Sequence, residues 1–544
     1  MGGVMGNVTG GSTAGPEGTF SPWAHPSDPG APLSLQALLD RAVALYGDRT
    51  ALVGSSGRLD YRSLDAAGDH AAAALRGLGV RAGDRVAVCL PNDLPIVVAL
   101  LGLWKLGAVY VGVHRALAPP EKAFFLDDCG AEVLLSDPAA ADEVGADLHS
   151  RSSLQRLVVA DPGGSSDEWQ ALLEAGGGGP APRTVDPLAP AAIAYTSGTT
   201  GRPKGVVHSQ HNALLPGVVS VVRGSFGPDE PIAVVHPLTI LNLMILNPLT
   251  TLAAGSTCVL SERHDAVTIA SLVRREGVVC ISAVPTVFYE LLTDERVDPA
   301  DLVTLTKPRT GGAAMPEELK RLFTRRFGSR PVTSYASTEA PTLVTRQDEG
   351  GPEGEVGDLG WPLPHIEVSV RDESGRPLPA GEAGEICFGP RHDGAWAGVY
   401  RTMLGYWELP DETALTLRHG VVHSGDVGRL LPDGRLQLVD RKSQLIIRGG
   451  SNIYPAEVER VLSADPRVAD CCVVGRPDER LGEVVVAVVE PADGVTLDVE
   501  SLADLCARHL AAFKQPAEIR LVASLPRTPL GKVARQIVSE LVRH

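Results

Sequence analysis

From residue 34 to about 136, helical patterns alternate with short β-rich runs, and this rhythm constrains the fold more than any other feature of the chain. Ser34 caps an i, i+3/i+4 apolar face running to Leu45, RVAVCL (Arg85 to Leu90) reads as a strand, and Leu94 to Leu106 reads as a buried helix. Such alternation predicts stacked α/β layers. It pauses between Asp137 and Pro190, where four consecutive glycines (Gly176 to Gly179) precede Pro-Ala-Pro, so that segment is expected to be a surface excursion. It resumes with the strand AAIAYTS and a helix from about His211, and continues to Leu292. The 31 residues between Glu230 and Glu262 carry no formal charge, but Pro237, Pro248 and Gly255 interrupt them; they read as strand, buried helix and strand, not as a membrane span.

After Gly360, HIEVSVRDESGRPLP, GEICFG and GRLQLVD look like hairpins of a small barrel or sheet. From Leu445 a compact β-α-β-β-α-β pattern begins: LIIRG, PAEVERVLSA, ADCCVVG, EVVVAVVE, ESLADLCARHLAAF and EIRLVAS. The expected organisation of the 544 residues is a disordered tail (1–30, with eight Gly and four Pro), a large domain (31–440) and a small one (441–544). A formal charge of −17 argues against a duplex-DNA or anionic-membrane partner. Eight cysteines without C-x-x-C spacing, mostly among apolar neighbours, read as buried thiols; with no apolar leader segment at the start, a reducing cytoplasmic setting is expected.

The chemistry concentrates in Ala194-Tyr-Thr-Ser-Gly-Thr-Thr-Gly-Arg-Pro-Lys-Gly-Val206, a strand running into a loop with three glycines, four hydroxyls and one lysine. The backbone N–H groups around Gly198 and Gly201, the hydroxyls of Thr196, Ser197, Thr199 and Thr200, and the Lys204 ammonium are what polyphosphate oxygens require. A surface turn needs neither the hydroxyls nor the lysine. The spacing differs from G-x-x-x-x-G-K-[S/T], so this is not a Walker A loop.

At these residues the chain resembles the adenylate-forming superfamily of acyl- and aryl-CoA synthetases, adenylation domains and firefly luciferase. Further matches follow in order: Thr310-Gly-Gly-Ala-Ala-Met-Pro316, Ser334-Tyr-Ala-Ser-Thr-Glu339, Ser424-Gly-Asp426, Asp440-Arg441, Arg448-Gly-Gly-Ser-Asn-Ile-Tyr-Pro-Ala-Glu457 and Pro526-Arg-Thr-Pro-Leu-Gly-Lys532. The resemblance implies two stacked α/β layers plus a small β-barrel, followed by a small mobile α+β domain. It implies an ATP-dependent carboxylic acid:CoA ligase that forms acyl-AMP and pyrophosphate, then acyl-CoA and AMP.

Glu339, a hard carboxylate beside Thr338, suits Mg²⁺ on ATP and the α-phosphate. Tyr335 offers a π-face for adenine, with Ala313 and Ala314 as the opposite wall by resemblance. Asp426 can accept both ribose hydroxyl protons, with Arg441 as its companion by resemblance. The resemblance also makes Lys532 the catalytic lysine, with Thr200 and Glu339 beside it, and places Gly449 and Gly450 in the thioester-forming loop. Thr239, Ile240, Leu241, Gly311 and Ala336 are expected to border the acid, and the apolar run 238–246 favours a greasy or aromatic acid over an amino acid.

The chain departs from the family pattern in four places. Ser443 occupies the interdomain hinge, Ala336 replaces a glycine, Ile240 and Leu241 stand where a histidine is expected, and the loop Arg391 to Met403 is long and aromatic. Three other readings are weighed: a free-standing ligase loading a carrier-protein phosphopantetheine thiol, a non-catalytic nucleotide-binding regulator and a luciferase-type oxygenase. The second is disfavoured because Thr200, Lys204, Glu339, Asp426, Arg441 and Lys532 are all retained.

Overall fold

The computed structural model describes residues 32–145, 153–164, 167–176, 185–196, 202–311, 315–348, 357–441, 445–492, 494–527 and 533–543. Two large sheets, one of nine strands and one of seven, form the body. In the seven-stranded sheet, Arg85–Cys89 lies parallel to both Val109–Gly112 and Val133–Ser136, and Val109–Gly112 is parallel to Pro190–Thr196. In the nine-stranded sheet, Ile232–Val234, Cys258–Leu260, Cys280–Ala283, Arg309–Thr310 and Val332–Ser337 are linked by parallel ladders. This is the mixed α/β architecture that the alternating pattern implies.

One apolar core draws from both sheets and from the helices between them, including Leu94–Leu106 and Gln210–Val222. Leu94–Leu106 is buried from Ile96 to Leu106 and apolar on every face except at Lys105, whose ammonium is paired with Asp65 and Asp69 at 2.6 and 2.7 Å. Asp93 caps its N-terminus, and Gly107 ends it in the left-handed conformation at φ 76°. The uncharged stretch forms the strand Ile232–Val234, a helical run from Leu241 to Ala254 and the strand Cys258–Leu260. The run is not a uniform α-helix. Ile245–Leu249 is a π-turn containing Pro248, which lacks the N–H that a regular helix would use there.

The segment 137–190 departs from expectation. It contributes the strand Arg156–Val159, which extends the seven-stranded sheet beside Val133–Ser136. It also contributes the helix Glu168–Ala175, whose Trp169 is only 2% exposed. With the helix Pro138–Gly145, the segment holds three short elements, and the glycines hide their signal. The long loop after Arg391 also belongs to the body: Val399, Tyr400 and Met403 are buried, and His211 and Asn212 bind its Val399 and Thr402 carbonyls at 2.6 and 2.9 Å.

The β-rich part after Gly360 is a five-stranded antiparallel sheet from Ile366–Arg371 to Leu436–Arg441. A second five-stranded sheet, built from Ile446–Arg448 onward, carries the helices Pro455–Leu462, Val499–His509 and Arg535–Leu541 of the small domain. It adds the strand Ser451–Ile453 and the last helix to the expected β-α-β-β-α-β order. All eight cysteines are buried, and burial pushes the Cys89 and Cys129 thiols up to about 12. Among the described residues no helix is long and apolar enough to cross a membrane.

Candidate active site

The strands Val109–Gly112, Pro190–Thr196, Cys280–Ala283, Arg309–Thr310 and Val332–Ser337 all deliver their last residues to one cavity of about 530 Å³. Ligands of open α/β sheets bind in the crevice at the carboxyl ends of strands, where side chains and free N–H groups converge. Of the residues singled out in the sequence, Thr196, Thr239, Ile240, Leu241, Gly311, Ala336, Thr338, Glu339, Asp426, Gly449 and Gly450 line this cavity. The two large sheets meet here closely: a Cβ on Gly112 would lie 2.1 Å from the Thr239 carbonyl oxygen, so no larger residue fits.

Glu339 is held from two sides. Ser337 Oγ donates to its Oε2 at 2.5 Å, and Tyr406 OH donates to its Oε1 at 2.9 Å. Burial, followed by the Glu339 charge, raises the Tyr406 phenol far above its ordinary pKa, so it stays a donor. Each carboxylate oxygen retains a lone pair, and an oxygen set of carboxylate and hydroxyls fits a hard divalent cation. Thr338 is fixed through its backbone, its carbonyl meeting His208 Nε2 at 2.7 Å; burial pushes His208 down to about 4, so the neutral ring donates.

Asp426 lies within the strand Val421–Leu430, at an irregularity in its pairing with Gly384–Pro390 where Gly425 has φ 75°, and Ser424 Oγ accepts the Asp426 N–H at 3.1 Å. Tyr335 OH donates to Asp426 Oδ2 at 2.7 Å. Tyr335 is 6% exposed and belongs to the main core, so it reaches the site through its hydroxyl and its ring is not part of the cavity wall. Arg441 stands opposite Asp426 in the antiparallel ladder. Lys204 is also set back from the wall: its ammonium pairs with Glu412 at 2.5 Å and sits 5.4 Å from the Tyr406 ring centre.

One part of the wall carries the apolar residues Pro216, Val219, Leu241, Leu243, Leu246 and Leu343. Asn242 ties the helical run to the Ser337 carbonyl through Nδ2 at 3.3 Å. His236 also lines the cavity; its Nε2 accepts the Val284 N–H at 3.1 Å, and burial, aided by His264, lowers it to about 4. Sequence reasoning missed His236, Tyr406 and Glu412. The apolar flank around His236 was visible, but nothing local marks Tyr406 as the partner of a residue 67 positions away.

The small domain closes the cavity with Gly449, Gly450, Tyr454, Glu457, Phe513 and Lys514. Gly450 has φ 81°, and a Cβ there would lie 2.0 Å from Val284 Cγ1, so this glycine permits the close approach of the two domains. Gly449 has φ 56°, and its nearest neighbour would be Leu481 Cδ2 at 3.6 Å. Arg527 and Val533 bridge each other, and Arg527 is held by Asp470 and Glu490; none of these four lines the cavity. Ser197, Gly198, Thr199, Thr200, Gly201, Ala313, Ala314, Ser443 and Lys532 lie outside the described residues, as does the Arg441 side chain.

The profile of AMP-binding enzymes matches residues 39–407, and that of the AMP-binding enzyme C-terminal domain matches residues 457–532. A feruloyl-CoA synthase of Amycolatopsis is 36% identical over 478 residues, covering 88% of this chain and 92% of that protein. An indoleacetate–CoA ligase of Aromatoleum aromaticum is 33% identical, covering 94% and 98%. Among solved structures, the amide bond synthetase McbA from Marinactinospora thermotolerans superposes with a TM-score of 0.81 at 30% identity, covering 93% of this chain and 99% of that one.

Proposed function

The chain belongs to the AMP-binding enzymes of the adenylate-forming superfamily, and from that membership we propose that it activates an apolar aliphatic or aromatic carboxylic acid with ATP and passes the acyl group to CoA. It is an AMP-forming acid–thiol ligase. One observation carries the choice of substrates: a single cavity is lined at once by Asp426 and Glu339, by the apolar residues Leu241, Leu243 and Leu246, and by Gly449 and Gly450 of the small domain. A nucleotide, a greasy acid and a thiol arm each have a matching wall.

In the first step, a carboxylate oxygen attacks the α-phosphorus of ATP, and the bond to the β-phosphate oxygen breaks, releasing pyrophosphate. Two anions must approach, so neutralising their charge and aligning them is the main catalytic requirement. We assign Asp426 to the ribose hydroxyls, Thr338 to the α-phosphate, and the Thr196 to Lys204 loop to the outer phosphates. Lys532 bridges carboxylate and phosphate. Glu339 would hold Mg²⁺, which when bound neutralises phosphate charge. Release of Lys204 from Glu412 would free its ammonium for the phosphates.

In the second step, the thiol attacks the acyl carbon and AMP leaves with the electron pair of the broken mixed anhydride. We place the domain division at 440–441 and the hinge at Ser443. The small domain would turn between steps, presenting Lys532 for the first and the Gly449-Gly450 face for the second. Cytoplasmic residence fits the buried thiols.

The test is a panel of acids assayed for pyrophosphate release with and without CoA. Release that depends on a greasy acid, with acyl-CoA formed only when CoA is present, is the expected outcome. Consumption of the adenylate by a holo-carrier protein and not by CoA would move the acceptor to a protein. Preference for amino acids would overturn the substrate class.

A further inference from the structure

The two domains meet beside the cavity through a buried three-charge cluster that neither step above uses. Glu121 lies in the first turn of the helix Pro119–Cys129 of the large domain. Its Oε2 accepts the Ala118 N–H at 2.9 Å and the Ala511 N–H at 2.7 Å, and its Oε1 takes the Lys514 ammonium at 2.7 Å. Lys514 also lies 3.1 Å from Glu457 Oε2. The side chains of Glu121, Lys514 and Glu457 are 12%, 8% and 4% exposed, so this is an interior ion cluster and not a screened surface pair. Burial alone would lower the Lys514 pKa, but Glu457 and Glu121 outweigh it and hold the ammonium above the ordinary lysine value.

The cluster is divided unequally between the domains. Glu457 shares the small domain with Lys514, so a turn of that domain leaves the ammonium with a carboxylate. Glu121 would lose Lys514 and Ala511 but keep the Ala118 N–H that caps its own helix. The contact can therefore part without stranding a charge in the interior, which a pair split one-to-one across the boundary would do. Its neighbours are specific to the same docked face: Phe513 meets the His114 ring at 6.1 Å, Gly450 abuts Val284, and Arg480 pairs with Glu290 at 2.9 Å. Arg527 and Val533 do not line the cavity, so an orientation of the small domain that brought them to it would undo this face.

Resting on the two-step reading above, we propose that Glu121 and Lys514 form a latch that holds the small domain in the thiol-transfer orientation. They act as positioning residues for the second half-reaction alone. The Glu121 carboxylate serves as a socket with two tenants from the small domain, a main-chain N–H and an ammonium, and it fixes both the distance and the rotation of the docked face.

The experiment measures the half-reactions separately: pyrophosphate release from ATP and acid without CoA, and thioester formation from supplied acyl-AMP and CoA. Glu121→Gln keeps the capping geometry and removes the charge. It should slow thioester formation about tenfold, the size of a common coupling between sites, with pyrophosphate release unchanged. Glu121→Asp, which keeps the charge, should retain more of the thioester rate than Glu121→Gln, a ranking that a merely structural role does not give. Unchanged release also reports that each variant is folded. Equal slowing of both half-reactions, no slowing of either, or Glu121→Asp no better than Glu121→Gln would overturn the latch. Wild-type protein that releases pyrophosphate but makes no thioester would overturn the CoA reading itself.

Discussion

Replacing Gly450 by alanine should separate the two half-reactions. At φ 81° an L-residue pays about 1 to 2 kcal/mol for its Cβ against the following carbonyl. In addition, the new methyl would sit 2.0 Å from Val284 Cγ1 and 2.5 Å from its Cβ. Val284 cannot swing aside easily, because its N–H is bound to His236 Nε2 at 3.1 Å and it caps the helix Pro285–Thr293. The domains must part to relieve the contact, at a further cost of at least ~1 to 2 kcal/mol, the price of overpacking a close contact. Only the second cost depends on docking, so it predicts a loss of roughly tenfold in thioester formation from supplied acyl-AMP, by transition-state arithmetic. Pyrophosphate release should stay near wild type, since that step would use another orientation. Gly449→Ala should be milder, because only its φ of 56° opposes the change and Leu481 is 3.6 Å away. Adding Val284→Gly to Gly450→Ala should restore part of the rate. If Gly450→Ala leaves thioester formation intact, or depresses both steps alike, the docking of Gly450 on Val284 is not what the second step needs.

Lys532→Ala should cut pyrophosphate release by at least ~10²-fold while sparing thioester formation from acyl-AMP, as expected for a charge that acts on the first transition state; loss of both in a folded variant would refute that division. Ala336→Gly should shift the ratio of kcat/KM between a longer and a shorter acid, since a methylene in a wall is worth about 1 to 3 kcal/mol; a constant ratio over several pairs would remove Ala336 from the acid's surroundings. Stability should fall as pH drops from about 6.5 toward 4. His114, His208 and His236 are pushed down to about 4 and His365 to about 3, chiefly by burial, so the unfolded chain binds protons there that the folded one refuses. Glu457 and Asp128, raised by burial, oppose this, and His211, lowered by burial, adds to it, so the histidines outnumber the carboxylates. A urea midpoint that is flat or rising across that window would contradict the assignment.

Elements that carry their own signal were readable from sequence. Leu94–Leu106 is an apolar run broken only by Lys105, with an acidic cap and a terminal glycine, and the structure buries it from Ile96 to Leu106. Cavity-lining residues such as Glu339 and Asp426 were readable because their motifs match the family pattern. What stayed hidden is pairing at a distance. Lys204 and Glu412 are 208 positions apart, Lys514 and Glu121 are 393 apart, and no local periodicity records either contact. Trp169 was lost among glycines because one buried ring can anchor an eight-residue helix without any repeat. The two glycines of the small-domain face looked equivalent in sequence, whereas only Gly450 faces a side chain of the other domain at close range.

The π-turn at Ile245–Leu249 gives this scaffold an unusual route to new specificity. A π-turn holds one more residue than the α-turn it replaces, and each helical residue advances the side chains by about 100° around the axis. Leu241, Asn242 and Leu243 lie before it and Thr250 lies after it, all on the cavity wall. A lineage that deletes one residue within the turn would relax it to a regular helix and rotate the upstream side chains against the downstream ones. The acid would then meet a different set of groups, while the strands on either side kept their register. A single-codon deletion could thus redraw the chamber in one step, where substitutions would have to accumulate one by one.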